Sequence, residues 1–369
     1  MNKLFILVAL TISFTVSAQI ATTGTSNSGL NASAIGFNTT ASNTVSTAMG
    51  RETLASGVTS TAMGYQTSAI NTAATAMGNN STASGVTSTA MGNNSTASGE
   101  TSTAMGDNST ASGETSIAMG FETEATYSAS IAMGYQTSST EGASTAMGFQ
   151  TTASGFGSTS IGYQTTASGY GSTSIGYQTT ASGNSSTAIG KNTIASDFGS
   201  LVIGQYNLGG ATVTYSATEA NYANTAFVIG NGTASNAKSD AFKVMVNGNT
   251  TVGNNLTVSG DIVVSSDARL KANIVSLGST LAKLLLIDGK RYTMKKDGKQ
   301  KIGVLAQDIQ KVFPELVTTD DKDMLAVNYQ GLVPVLINAL KEQDGKMKEQ
   351  QSEIDELKQM VNQLITKQE

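Results

Sequence analysis

The sequence contains no cysteine, histidine or tryptophan, and only 2 prolines in 369 residues; aromatic residues make up 6% and charged residues 13%. Each absence closes a class of chemistry. Without histidine or cysteine there is no Ser–His–Asp triad, no Cys–His pair, no zinc site of the usual ligand set, no haem and no iron–sulfur cluster. No metal or cofactor is therefore expected. Disulfides are excluded, so outside the cell stability has to come from packing, hydrogen bonding or oligomerisation. Positive charge is missing from the middle of the chain: no Lys or Arg lies between Arg51 and Lys191, whereas Glu52, Glu100, Asp107, Glu114, Glu122, Glu124 and Glu141 do. With a net charge of −5, that stretch repels phosphate and gives no footprint for nucleic acid.

What is present begins with a targeting segment. Residues 1–18 read MNKLFILVALTISFTVSA. Lys3 supplies the basic start, an apolar run follows from Leu4, and Val16 and Ala18 take the small-residue positions before a cut. This is the pattern of a secretory signal peptide cleaved after Ala18. The run is interrupted by Thr11, Ser13 and Thr15 and falls short of the roughly 20 residues that span a bilayer. No later segment is apolar enough to span one, and without cysteine a lipid anchor is excluded. The protein is expected to be secreted or displayed at the cell surface.

The chain then repeats. Glycine recurs every fourteen residues from Gly36 through Gly50 and Gly64 to Gly204, each time after Met or Ile, from Ile35 and Met49 to Ile203. A small residue keeps the same step from Ala41 to Ala195. The unit is S-T-A-[MI]-G-x-x-[TS]-x-A-S-G-x-x. Its glycine content and Ser/Thr runs oppose a helix, and no i, i+3, i+4, i+7 stripe runs through it. Two short strands per coil fit, with glycine at the corners supplying positive φ; alternation puts Ala48 outward against Met49 or the reverse, and Met or Ile with one or two Ala per coil is expected to fill a very thin interior. At about 4.8 Å per coil, twelve steps make a rod of roughly 58 Å. Tyr65, Phe121, Tyr135, Phe149, Tyr163 and Tyr177, each just after a repeat glycine, are expected to pack along an edge; an adhesive aromatic ladder is the other reading. So thin a coil calls for partners. The repeats resemble the heads of trimeric autotransporter adhesins over about residues 30–207, which implies a trimeric, left-handed parallel β-roll. The membrane anchor that those adhesins use for export has no counterpart here.

After Gly204 the period breaks and resumes once, at Val228-Ile229-Gly230. Residues 240–267 alternate apolar and polar residues, with turns at Asn247-Gly248 and Ser259-Gly260, and are expected to form the short strands of an intertwined β-stalk ending in Ile262–Val264. At Ser266 the composition changes and lysine becomes frequent. Within Ser266-Asp267-Ala268-Arg269-Leu270-Lys271 a serine stands five residues before a lysine. Lysine can act as general base for serine when its proton affinity is lowered, but this spacing is commonplace, and a capping Ser or Asp opening a short helix is the plain alternative.

The segment that follows adds Tyr292, then Ile302-Gly303-Val304-Leu305-Ala306-Gln307-Asp308, Phe313-Pro314-Glu315-Leu316-Val317, Val327-Asn328-Tyr329 and Leu332-Val333-Pro334. In order, and with the opening SDARLKANI, these resemble the endosialidase-type intramolecular chaperone found at the end of phage tail spikes and fibres. The resemblance implies a domain that trimerises, helps upstream β-structure wind together, and is released by cleavage at its start, with Ser266 and Lys271 as the catalytic dyad; the cut is placed at Ser265–Ser266, and the adjacent Ser265 leaves its register open by one residue. Val333, Leu340, Met347, Ile354 and Val361 share one heptad position, and Leu336, Leu357 and Leu364 with Gln343 and Gln350 the other, as in a short coiled coil. An amphipathic helix folded onto its own domain is the alternative before residue 345.

The expected fold is mostly β: signal peptide 1–18, β-roll head 19–207, β-stalk 208–265, a small α+β chaperone and auto-processing domain 266–340, and a coiled coil 341–369. The expected function is that of a secreted homotrimeric fibre or adhesin whose one reaction is a single serine-peptidase turnover on itself; its ligand is not readable. Two alternatives remain. A tail-spike-like enzyme acting on polysaccharide would need paired carboxylates, and the head places too few acids at recurring positions. An adhesin that never cleaves itself would keep the rest of the reading. A phage tail fibre is a further possibility, opposed by the signal peptide.

Overall fold

In the computed structural model, residues 22–208, 216–319 and 323–366 are described; the expected signal peptide lies outside them. Two compact units divide the chain, one ending at Ser259 and the other starting at Gly260.

The first unit is a parallel β-solenoid. Each fourteen-residue turn contributes a five-residue strand, such as Thr61–Tyr65, and a two-residue strand, such as Ser68–Ala69. The short strands stack into a 13-stranded sheet and the long ones into the core of a 16-stranded sheet. Every turn pairs with the next in the same register, Ala62 with Ala76, Met63 with Met77 and Gly64 with Gly78, so identical positions form columns along the rod.

Which columns face inward departs from the sequence expectation. Through the regular turns the interior holds small residues, as in the turn where Ser60, Ala62, Thr67 and Ala69 are all fully buried; Val202 and Val228 enter the column only at its C-terminal end. Methionine and isoleucine do not fill it. They stand on the outer face of the long strands, where Met49, Met119 and Ile189 are 39%, 37% and 39% exposed. Strand alternation explains this, because burying the alanine two residues after a buried serine turns the intervening threonine and the following methionine outward. The buried hydroxyls are partly served by backbone; Ser88 Oγ donates to the Gly85 carbonyl at 2.7 Å and Ser95 Oγ to that of Gly106 at 2.9 Å.

The repeat glycines also do a different job from the one expected. The left-handed corners are occupied mainly by residues such as Asn38, Glu52 and Gln66, with φ of 50°, 56° and 53°. Gly64 lies within its strand at φ +127°, and a Cβ there would stand 2.0 Å from the Gly78 carbonyl oxygen. The column is glycine because adjacent turns approach too closely for any side chain.

Two polar and aromatic ladders run along the outside. At the corner column Gln66 donates to Glu52 at 2.8 Å, and Gln150, Gln164 and Gln178 each donate to the preceding glutamine at 2.9 Å. In the column after the repeat glycine, Phe121, Tyr135, Phe149, Tyr163 and Tyr177 stack with successive ring centroids 4.9 Å apart. Arg51 sits between Phe37 and Tyr65, and Lys191 covers Tyr177. The rings cover one another's faces, while Tyr135, Tyr163 and Tyr177 remain 40%, 38% and 43% exposed.

The solenoid ends where the period resumes. Thr225–Asn231 pairs in parallel with Leu201–Gln205, Ile229 against Ile203 and Gly230 against Gly204. Asp240–Met245 then adds antiparallel to it, followed by Thr250–Val252. The part of the expected stalk that carries Phe242 and Val244 thus extends the head's own sheet. Beyond it, Ile262, Val263 and Val264 form no strand within the single chain and are 64%, 88% and 61% exposed.

The second unit is small and mixed. Helix α1 (Leu281–Leu284), a hairpin of Lys290–Thr293 with Gln300–Gly303, helix α2 (Ala306–Val312), a hairpin of Val317–Thr319 with Leu325–Val327, and helix α3 (Leu332–Thr366) follow in order. Ile309, Phe313 and Val335 form its core, with Leu284, Val304, Val327 and Leu332 packed around them. Helix α3 is continuous through residues 340 and 341. Its Val335 and Ala339 are buried in the domain, while Val333, Leu340, Met347, Ile354 and Leu364 remain 46–68% exposed. One face thus packs on its own domain, and the heptad stripe is left open in the single chain.

Candidate functional site

The second unit begins with the residues singled out from the sequence. Ala268–Leu270 form a single 3-10 turn, closed by the Leu270 amide donating to the Asp267 carbonyl and the Lys271 amide to that of Ala268, both at 3.1 Å. This reversal carries the chain back on itself and brings the Lys271 Nζ to 2.7 Å from Ser266 Oγ, to which it donates. The serine and lysine expected as a pair are therefore in hydrogen-bond contact, within the distance that proton transfer requires. Both are exposed in the single chain.

The capping alternative is also realised, by the neighbouring residue. Asp267 caps the turn: its Oδ1 accepts from the Arg269 amide at 2.8 Å, and the Arg269 guanidinium grips the same carboxylate through Nε at 3.1 Å and Nη2 at 2.7 Å. The guanidinium first, and then the backbone N–H, hold the Asp267 carboxyl below its ordinary range, and the carboxylate raises the arginine in return. Sequence reasoning named Asp267 as a capping candidate and missed Arg269; the i, i+2 Asp-x-Arg spacing was the available signal.

A second contact escaped it altogether. Glu342 on α3 accepts from Ser279 Oγ at 2.7 Å and from the amides of Thr280 and Leu281, the start of α1. Thr280 is buried, and its hydroxyl donates to the Val335 carbonyl at 3.0 Å. The Ser279 hydroxyl, then the Thr280 amide, hold the Glu342 carboxyl below its ordinary range. The partners are 62 residues apart, and no local pattern marks them.

Elsewhere the described residues offer little to chemistry. They contain no group of three or more Asp or Glu arranged to hold a metal ion, and none of their helices is long and apolar enough to cross a membrane. A shallow apolar depression in the second unit is lined by Tyr292, Met294, Leu305, Met324 and Tyr329, and no paired carboxylates face it.

Two family models match separate parts of the chain. The YadA head domain repeat matches at nine places between residues 28 and 206, several of them overlapping, and the chaperone of endosialidase family matches residues 266–318, opening on Ser266. The long tail fiber protein of Escherichia phage AR1 is 35% identical over 87 residues, which cover 21% of this chain and 8% of that protein. The chain spans only a small part of that relative. Repeats similar to the YadA head domain are thus followed by a segment similar to the chaperone of endosialidase.

Proposed function

We propose that this chain is an exported, homotrimeric fibre subunit with an adhesin-type head, whose C-terminal unit aligns three copies and then cuts itself off between Ser265 and Ser266. The contact of Lys271 Nζ with Ser266 Oγ at 2.7 Å carries the cleavage reading. The trimer is supported by the heptad stripe left open on α3 and by the apolar residues Ile262–Val264, which have no partner strand in one copy.

The reaction needs only groups of the chain and water. Lys271 in its neutral form takes the Ser266 hydroxyl proton as Oγ attacks the Ser265 carbonyl carbon. The same proton passes to the Ser266 nitrogen, the Ser265–Ser266 C–N bond breaks, and an ester links Ser265 to Ser266 Oγ. Water hydrolyses that ester, leaving a carboxylate on Ser265 and a free amine and hydroxyl on Ser266.

A chaperone is needed because the solenoid repeats itself. A slip of one whole turn preserves nearly every pairing within the sheets, so local energetics discriminate weakly between registers. A detachable trimeriser fixes chain number and alignment at one end, and its loss leaves the fibre kinetically trapped. No head ligand follows from the residues.

The test is the intact mass of purified full-length protein beside Ser266→Ala. The wild type should yield an N-terminal fragment ending at Ser265, and the variant should stay whole. Equal processing of both, or none in an assembled wild-type trimer, would sink the cleavage reading and leave the chaperone reading standing.

A further inference from the structure

The serine and lysine lie five residues apart, a distance of roughly 17 Å in an extended chain. Their contact therefore depends entirely on the reversal between them. That reversal is one 3-10 turn with two backbone hydrogen bonds and no buried residue. Such a turn has poor hydrogen-bond geometry and little stability of its own. Something outside the backbone has to hold it, and among the described residues the side chain that bonds to the turn's backbone is Asp267, which accepts from the Arg269 amide and also from its guanidinium.

We propose that Asp267 is a positioning residue for self-cleavage: its carboxylate locks the turn that returns Lys271 to Ser266. The inference rests on the cleavage reading above. The two contacts of this carboxylate are unequal in weight. An exposed ion pair contributes little, and Arg269 is 89% exposed at its side chain. A capping hydrogen bond to the backbone at the start of a turn contributes more. Geometry of the cap, rather than charge, is then what the lysine's placement depends on. Asparagine keeps an oxygen at the same distance from the backbone, while glutamate keeps the charge and moves it one methylene away.

The experiment follows cleavage of the assembled full-length protein over time by intact mass, for the wild type and for Asp267→Asn, Asp267→Ala, Asp267→Glu and Asp267→Ser, with Ser266→Ala as the uncut control. The Asn and Ser variants should cleave within about threefold of the wild type, and the Ala and Glu variants should slow by about fivefold or more, the factor a lost cap corresponds to. Trimer mass and melting temperature should be unchanged in all, since the turn buries nothing. Wild-type rates in the Ala and Glu variants would overturn the positioning role while leaving the dyad intact. A slow Asn variant beside a fast Glu variant would overturn it too, by making charge the determinant. If the wild type does not cleave, or Ser266→Ala does, the reading beneath it fails instead.

Discussion

At the residue scale, two columns of the head carry opposite tolerances. Gly64 has positive φ and a neighbouring carbonyl where its Cβ would go; Gly64→Ala should lower stability by about 2 kcal/mol or more, read from the thermal or denaturant midpoint of the assembled head. Thr67 is fully buried, and its hydroxyl has no hydrogen-bond partner. Thr67→Val keeps the shape and removes an unmet donor, so it should be neutral or stabilising by roughly 1 kcal/mol in the same assay. In the second unit, the Glu342 carboxylate binds the start of α1 and is held below its ordinary range by Ser279 and Thr280. A group whose carboxylate form is favoured by folding contributes stability above its unfolded value, and loses it as pH falls through the lower folded value. Amide exchange at Thr280 and Leu281, referenced to neighbouring amides, should therefore accelerate on acidification below the usual carboxylate range. Glu342→Gln should exchange fast at neutral pH and show little of that acid-dependent step.

At the element scale, the unit of tolerance is the turn. Removing residues 90–103 deletes one whole coil and joins equivalent positions, so the product should fold with similar circular dichroism and a head shorter by about 4.8 Å. Removing residues 90–96 joins a long strand to a short one and should abolish the cooperative transition. The aromatic ladder stabilises a block of turns. Phe149 stacks on both Tyr135 and Tyr163, so Phe149→Ala should cost about 1–3 kcal/mol, two ring pairs at about 0.5–1.5 each. These elements differ in how readable they were. The period, the strand pair per turn and the restart at Val228-Ile229-Gly230 followed from spacing, because a solenoid repeats its physics with its sequence. The placement of methionine did not, since hydrophobicity alone suggests the inside, whereas strand parity and the volume between two close sheets admit only Ala, Ser and Thr. The Ser266–Lys271 pair was legible as a motif. The Asp267–Arg269 clamp was half legible, and the Glu342 contact was not, being made across 62 residues.

At the scale of the whole molecule, a chain without disulfides and with a core of alanine and hydroxyls has to draw its persistence from assembly. Sedimentation of the full-length protein should give a trimer, and truncation after residue 265 before folding should leave misassembled or aggregated heads. The same truncation made by protease after assembly should leave a trimer that stays intact on dilution, the mark of kinetic trapping. The one-turn register of the head has a further consequence, at the level of its gene. Because neighbouring turns share interior, corners and pairing, recombination between tandem copies of the coding sequence would add or remove whole turns while keeping the reading frame. Fibre length is thereby a heritable quantity that can change in single steps without any new core having to evolve.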